Sequence, residues 1–133
     1  MNKIIPALAA AFFAATLAPA ATAAAPTPTQ DTRLQLTAER NVDGQDTVAF
    51  VWLDCPTSDR PAHPHRAEAC AALDAAAGDF DGLRGEPDRS CTAEHSPVTF
   101  SAKGTYHGRT VDWTRTYGNN CEATVKTGPV FSF

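Results

Sequence analysis

Apolar and polar residues alternate in one stretch near the start of the folding region, and a dense apolar run follows it. Residues 33–40 put Leu34, Leu36 and Ala38 on one side against Arg33, Gln35, Thr37 and Glu39, and residues 47–53 form a dense run with Val48, Phe50, Val51 and Trp52. A period of two is the signature of a strand. Asn41, Asp43 and Gly44 between the stretches are turn formers, so the pair reads as strand, turn, strand. Residues 56–64 carry Pro56, Pro61 and Pro64, which end both strand and helix and predict a loop. Over residues 66–77 the spacing changes: Cys70, Leu73 and Ala77 recur at three and four, one face of a helix that Gly78 stops. Residues 79–83 read as a further short helical turn burying Phe80 and Leu83.

Residues 85–96 contain almost nothing apolar and predict an exposed loop. Residues 97–102 and 110–117 read as strands, the second alternating Val111, Trp113 and Tyr117 with Asp112, Thr114 and Thr116, and residues 103–109, with Gly104 and Gly108, turn between them. Val130, Phe131, Ser132 and Phe133 alternate as a closing strand. Five strands with one or two helices in mid-chain predict an α+β fold, helices packed on an antiparallel sheet. There is no internal repeat.

Ahead of this region, residues 1–23 have the layout of an export signal: Lys3, an apolar run over 4–17, and the small residues Ala21, Thr22 and Ala23 at a cleavage site. The apolar run is too short for a membrane anchor. Residues 24–31 read as a flexible proline-rich arm, and 32–133 as one domain. Without the signal the chain carries 10 basic and 15 acidic side chains, a balance that argues against a nucleic-acid partner. The expectation is a secreted protein with no membrane attachment.

Export changes the meaning of the four cysteines, Cys55, Cys70, Cys91 and Cys121. An even set in a short exported chain is a disulfide framework, although four cysteines allow three pairings. No thiol is then left as a nucleophile, and no Gly-x-Ser-x-Gly, Ser-x-x-Lys or His-Glu-x-x-His pattern occurs, so no enzyme is expected. His63 and His65 stand close together, but neither they nor His95 and His107 have the further ligands that zinc needs. They read as solvent-exposed loop histidines, with no metal and no cofactor. Asp79 and Asp81 read as a solvated helix start, and Phe50, Trp52, Trp113 and Tyr117 as core.

The remaining feature is the loop opened by Cys91. The cysteine spacings of 15, 21 and 30 residues resemble those of the subtilisin inhibitors secreted by Streptomyces. So do Cys55-Pro56, His63-Pro64, Ala69-Cys70-Ala71 with Leu73, Gly78-Asp79, Pro97-Val98, Gly104 with Gly108, Asn120-Cys121-Glu122 and the terminal Val130-Phe131-Ser132-Phe133. The resemblance implies disulfides from Cys55 to Cys70 and from Cys91 to Cys121, a five-stranded antiparallel sheet with two helices on one face, and a homodimer formed sheet to sheet. It further implies that the loop of Cys91, Thr92, Ala93, Glu94, His95, Ser96 and Pro97 enters a protease as a substrate would. Ala93 would fill the specificity pocket, and the bond from Ala93 to Glu94 would be the scissile one. The chain departs from the pattern at Thr92, where the best-known member has proline, at Ala93, where Met or Lys is common, and at Glu94 and His95, where apolar or aromatic residues stand. The function so implied is inhibition of a subtilisin-like serine protease, or of an elastase-like one given the small Ala93. The alternatives are a secreted metalloprotease inhibitor and a disulfide-stapled binding module with no protease target.

Overall fold

The computed structural model describes residues 20–24, 31–56 and 63–133. Residues 1–19 of the expected export signal, 25–30 of the arm and 57–62 of the proline loop lie outside the described residues.

Four strands, β1 (Thr32–Val42), β2 (Gln45–Cys55), β3 (Val98–Tyr106) and β4 (Arg109–Tyr117), form one antiparallel sheet in the order β2-β1-β3-β4. The alternation in β1 is realised: Leu34, Leu36 and Ala38 are buried, and their partners Leu53, Val51 and Ala49 on β2 and Gly104, Ala102 and Phe100 on β3 share that face. Both hairpins close through two residues with positive φ, Asp43 and Gly44 in the first and His107 and Gly108 in the second. That conformation matches the twist of the flanking strands. The second turn is therefore shorter than the expected 103–109, and β3 runs on through Gly104. This glycine has φ 141°, and a Cβ there would run into the Arg33 carbonyl of the neighbouring strand.

Helix α1 (Arg66–Ala75) ends two residues before the expected Ala77, because Ala77 and Gly78 both turn to positive φ and the Gly78 N–H closes back on the Leu73 carbonyl at 3.0 Å. A short 3-10 turn, Phe80–Gly82, follows and buries Phe80, with Leu83 buried beside it, as the sequence predicts. A second helix, α2 (Asn120–Thr127), forms where the residue pattern predicted no element. Ala69 and Leu73 of α1 and Ala123 of α2 join the inward residues of the sheet in one hydrophobic core. Each fully buried Leu or Val there is worth about 1.5 to 3 kcal/mol.

The sheet has four strands and not five, because the closing strand does not form. Residues Gly128–Phe131 are a 3-10 turn: Gly128 has φ 56°, Pro129 has no N–H to give a ladder, and both Val130 and Phe131 are buried where a strand would turn one outward. Phe131 stacks on Phe100 with ring centroids 4.4 Å apart.

Other expectations are corrected by the packing. Phe50 is not core; it is 59% exposed, beside Val48 at 63%, on the face of the sheet turned away from the helices. Trp52 lies on the same face, half-buried. Tyr117 is buried, and half-buried Trp113 stacks on Phe80. Asp81 is more than a solvated helix start: it accepts from Arg115 at 2.7 Å and from the Trp113 indole at 3.2 Å. The guanidinium, then the indole, hold its carboxyl below the ordinary carboxylate range.

His63 is buried, at 2% exposure, and is not a solvent-exposed loop histidine. Its Nδ1 accepts the His65 N–H at 2.9 Å, which leaves Nε2 to donate to the Val130 carbonyl at 2.8 Å. Both ring nitrogens are thereby used, and burial pushes its pKa down.

Candidate functional site

Both disulfides implied by the resemblance are formed, Cys55 with Cys70 and Cys91 with Cys121. They have different surroundings. Cys55 and Cys70 pack against the core and tie the end of β2 to α1, whereas Cys91 and Cys121 join the long polar loop to the first turn of α2.

From Thr92 to Pro97 every residue of that loop is exposed, and Val98 at once enters β3 and is buried. The segment is thus covalently fastened at Cys91 and continuous with the sheet at Val98. Between these anchors the chain has no helix or strand of its own, so its backbone polar groups need partners from elsewhere.

The partner is Asn119. Its side-chain amide donates to the Thr92 carbonyl at 3.1 Å and to the Glu94 carbonyl at 2.9 Å, the carbonyls on either side of Ala93. The same side chain caps α2, its oxygen accepting the Glu122 N–H at 2.8 Å. Both donors and the acceptor of one amide are therefore engaged. Around it, the Glu122 carboxylate accepts the Gly118 N–H at 3.0 Å, and the Ser96 N–H donates to the Gly118 carbonyl at 2.9 Å. An open cleft of about 300 Å³ lies between loop and helix, lined by Thr92, Glu94, His95, Gly118, Asn119 and Glu122.

The seven expected loop residues form one continuous segment, half-buried at Cys91 and exposed from Thr92 to Pro97, and Ala93 is exposed at the edge of the cleft. Asn119 is the site residue the sequence reading missed. A signal for it existed: Asn followed three residues later by Glu, as in Asn119 and Glu122, is a helix-start pattern. Nothing local, however, says that the cap also reaches a loop 25 residues earlier.

Among the described residues no group of three or more His, Cys, Asp or Glu side chains is arranged to hold a metal ion, and no helix is long and apolar enough to cross a membrane.

Fold and site together define a class: a small disulfide-stapled α+β protein that presents one exposed segment, pinned at an end by a disulfide and held underneath by an amide. The chain belongs to the Subtilisin inhibitor-like family, whose profile matches residues 30–119; this is a family of protease inhibitors, not of enzymes. It is similar to Subtilisin inhibitor-like protein 5 of Streptomyces fradiae, 41% identical over 83 residues that make up 62% of this chain and 78% of that one. It is also similar to a Subtilase-type protease inhibitor of Streptomyces fradiae, 41% identical over 85 residues, 62% of this chain and 59% of the other. Among solved structures it resembles Streptomyces caespitosus sermetstatin, crystallised in complex with Bacillus licheniformis subtilisin, with a TM-score of 0.61 and 28% identity, covering 77% of this chain and 99% of that one.

Proposed function

We propose that this protein is an exported inhibitor of a subtilisin-like serine protease and that it acts as a tethered substrate through the bond between Ala93 and Glu94. The observation that carries the reading is the placing of Asn119 between the Thr92 and Glu94 carbonyls, on both sides of that bond. The exposed segment enters the protease cleft, and the Ala93 carbonyl is offered to the catalytic serine and its oxyanion donors. After cleavage, the new Ala93 end remains tied through Cys91 to Cys121, and the new Glu94 end remains tied through Asn119 and β3. The freed amine stays beside the acyl group at very high effective concentration, so religation outruns release. Affinity comes from preorganisation, because a loop already ordered avoids about 0.5 to 1.5 kcal/mol per side chain that would otherwise be immobilised on binding.

Ala93 fits a shallow apolar pocket, as in subtilisin-like and elastase-like proteases, and gives up about 2 kcal/mol of burial relative to Leu or Met. Export follows from residues 1–23, and the two disulfides suit an oxidising compartment. A homodimer is part of the same reading. Exposed Val48 and Phe50, with Trp52 beside them, lie on the sheet face that the helices leave open, and two copies would cover that face mutually.

The deciding experiment titrates the protein against subtilisin and sequences whatever is cut on long incubation. Stoichiometric loss of activity, with a slow nick whose new N-terminus is Glu94, is expected. Rapid digestion, or a first cut outside residues 91–97, would overturn the proposal and favour a binding module.

A further inference from the structure

We infer that Arg40, on β1, is a positioning residue for the loop: it sets the Asn119 amide by holding the first turn of α2 against the sheet. This rests on the inhibitory reading above for its functional consequence, though its structural part can be tested without a protease.

The brace is only as rigid as the backbone that carries Asn119. That residue lies two positions beyond Tyr117, where β4 ends, and Gly118 between them has no side chain to resist rotation. The disulfide at Cys121 does not solve the problem, because its other end, Cys91, belongs to the loop being braced. The chain joins loop and helix start to the sheet at Val98 and Tyr117, and Ala123 packs α2 into the core, but none of these contacts holds the helix start at Asn119 and Asn120 from the side of β1. Arg40 adds that hold. Its Nε donates to Asn120 Oδ1 at 3.2 Å, one residue from the brace, across 80 positions of sequence.

Arg40 is itself well held. It pairs with Val98, the first residue of β3 after the loop, and its guanidinium lies 5.6 Å from the centroid of the buried Phe100 ring. A planar cation stacked on an aromatic face, with Nε turned to an acceptor, is a geometry a lysine ammonium does not reproduce. Residue 40 thus refers the functional segment to one strand in two ways: the exit at Val98 through backbone pairing, and the brace at Asn119 through the side-chain bond to Asn120.

The test uses Arg40→Met, which keeps the apolar stem, Arg40→Lys, which keeps the charge, and Asn120→Ala, which removes the acceptor. Two readouts are taken: exchange of the Asn119 side-chain amide protons by NMR in the free protein, and the rate of nicking after Ala93 in the subtilisin complex. All three variants should speed amide exchange, and nicking should rise about tenfold for a lost charge-assisted bond. In an Asn119→Asp background, where the brace is already gone, Arg40→Met should add no further nicking, since residues acting through one contact are not additive. Unchanged amide exchange in Arg40→Met, even with a lowered melting temperature, would overturn the inference, as would full additivity with Asn119→Asp. If the native protein proves not to inhibit subtilisin, the proposed function fails, and the exchange measurement still decides the role of Arg40.

Discussion

Replacing Asn119 by Asp separates two jobs that one amide performs. Aspartate caps a helix about as well as asparagine, so the bond from the Glu122 N–H survives and α2 should keep its stability. The two donors are lost, and a carboxylate oxygen is set against the Thr92 and Glu94 carbonyls, at the positions where the amide now lies 3.1 and 2.9 Å away. A hydrogen bond contributes about 1 kcal/mol net, so losing two removes about 2 kcal/mol from the ordered loop. Because 1.4 kcal/mol is tenfold, the inhibition constant against subtilisin should rise about 30-fold. The melting temperature should move by no more than about 2 °C, since the fold loses only surface bonds. Titration of enzyme activity at fixed substrate gives the first quantity and calorimetry the second. An inhibition constant within twofold of the native protein would refute the bracing argument. So would a weakening that merely follows a loss of fold stability.

Further outcomes follow from other parts of the molecule. Ala93→Lys should confer trypsin inhibition, because an ammonium at that position reaches the acid of a trypsin-like pocket on an unchanged scaffold; an inhibition assay giving no trypsin activity loss would remove Ala93 from the specificity role. His63 is held neutral by burial, with a folded pKa below the ordinary 6.5, so the unfolded chain takes up the proton first. Stability is then full above about pH 6.5 and declines as pH falls from there through the lower folded value, and His63→Gln should flatten that slope in melts between pH 5 and 7. Phe50→Glu puts a charge on the open sheet face and should leave the protein monomeric in sedimentation at micromolar concentration, with subtilisin inhibition intact.

Much of the architecture was legible in local pattern. The alternation of Leu34, Leu36 and Ala38, the three-and-four spacing through Cys70 and Leu73, and the polar run before Val98 each describe a segment whose conformation depends mainly on its own residues. The residue pattern also sufficed to mark the family resemblance and the loop. What it left undecided has one physical cause. The apolar run of β2 does not say which of its two faces is covered; the helices decide, and they cover the face of Leu53 and leave Phe50 outside. Four residues at the C-terminus are too few to distinguish a period of two from a tight turn, and burial of Val130 and Phe131 together selected the turn. The chemistry of the site was still less local. The bond that buries His63 spans 67 residues, the brace from Asn119 to Thr92 spans 27, and the tie from Arg40 to Asn120 spans 80. A side chain's composition states what it can donate or accept; which partner it meets is set by the closure of the chain around a core, and only the tertiary structure supplies that.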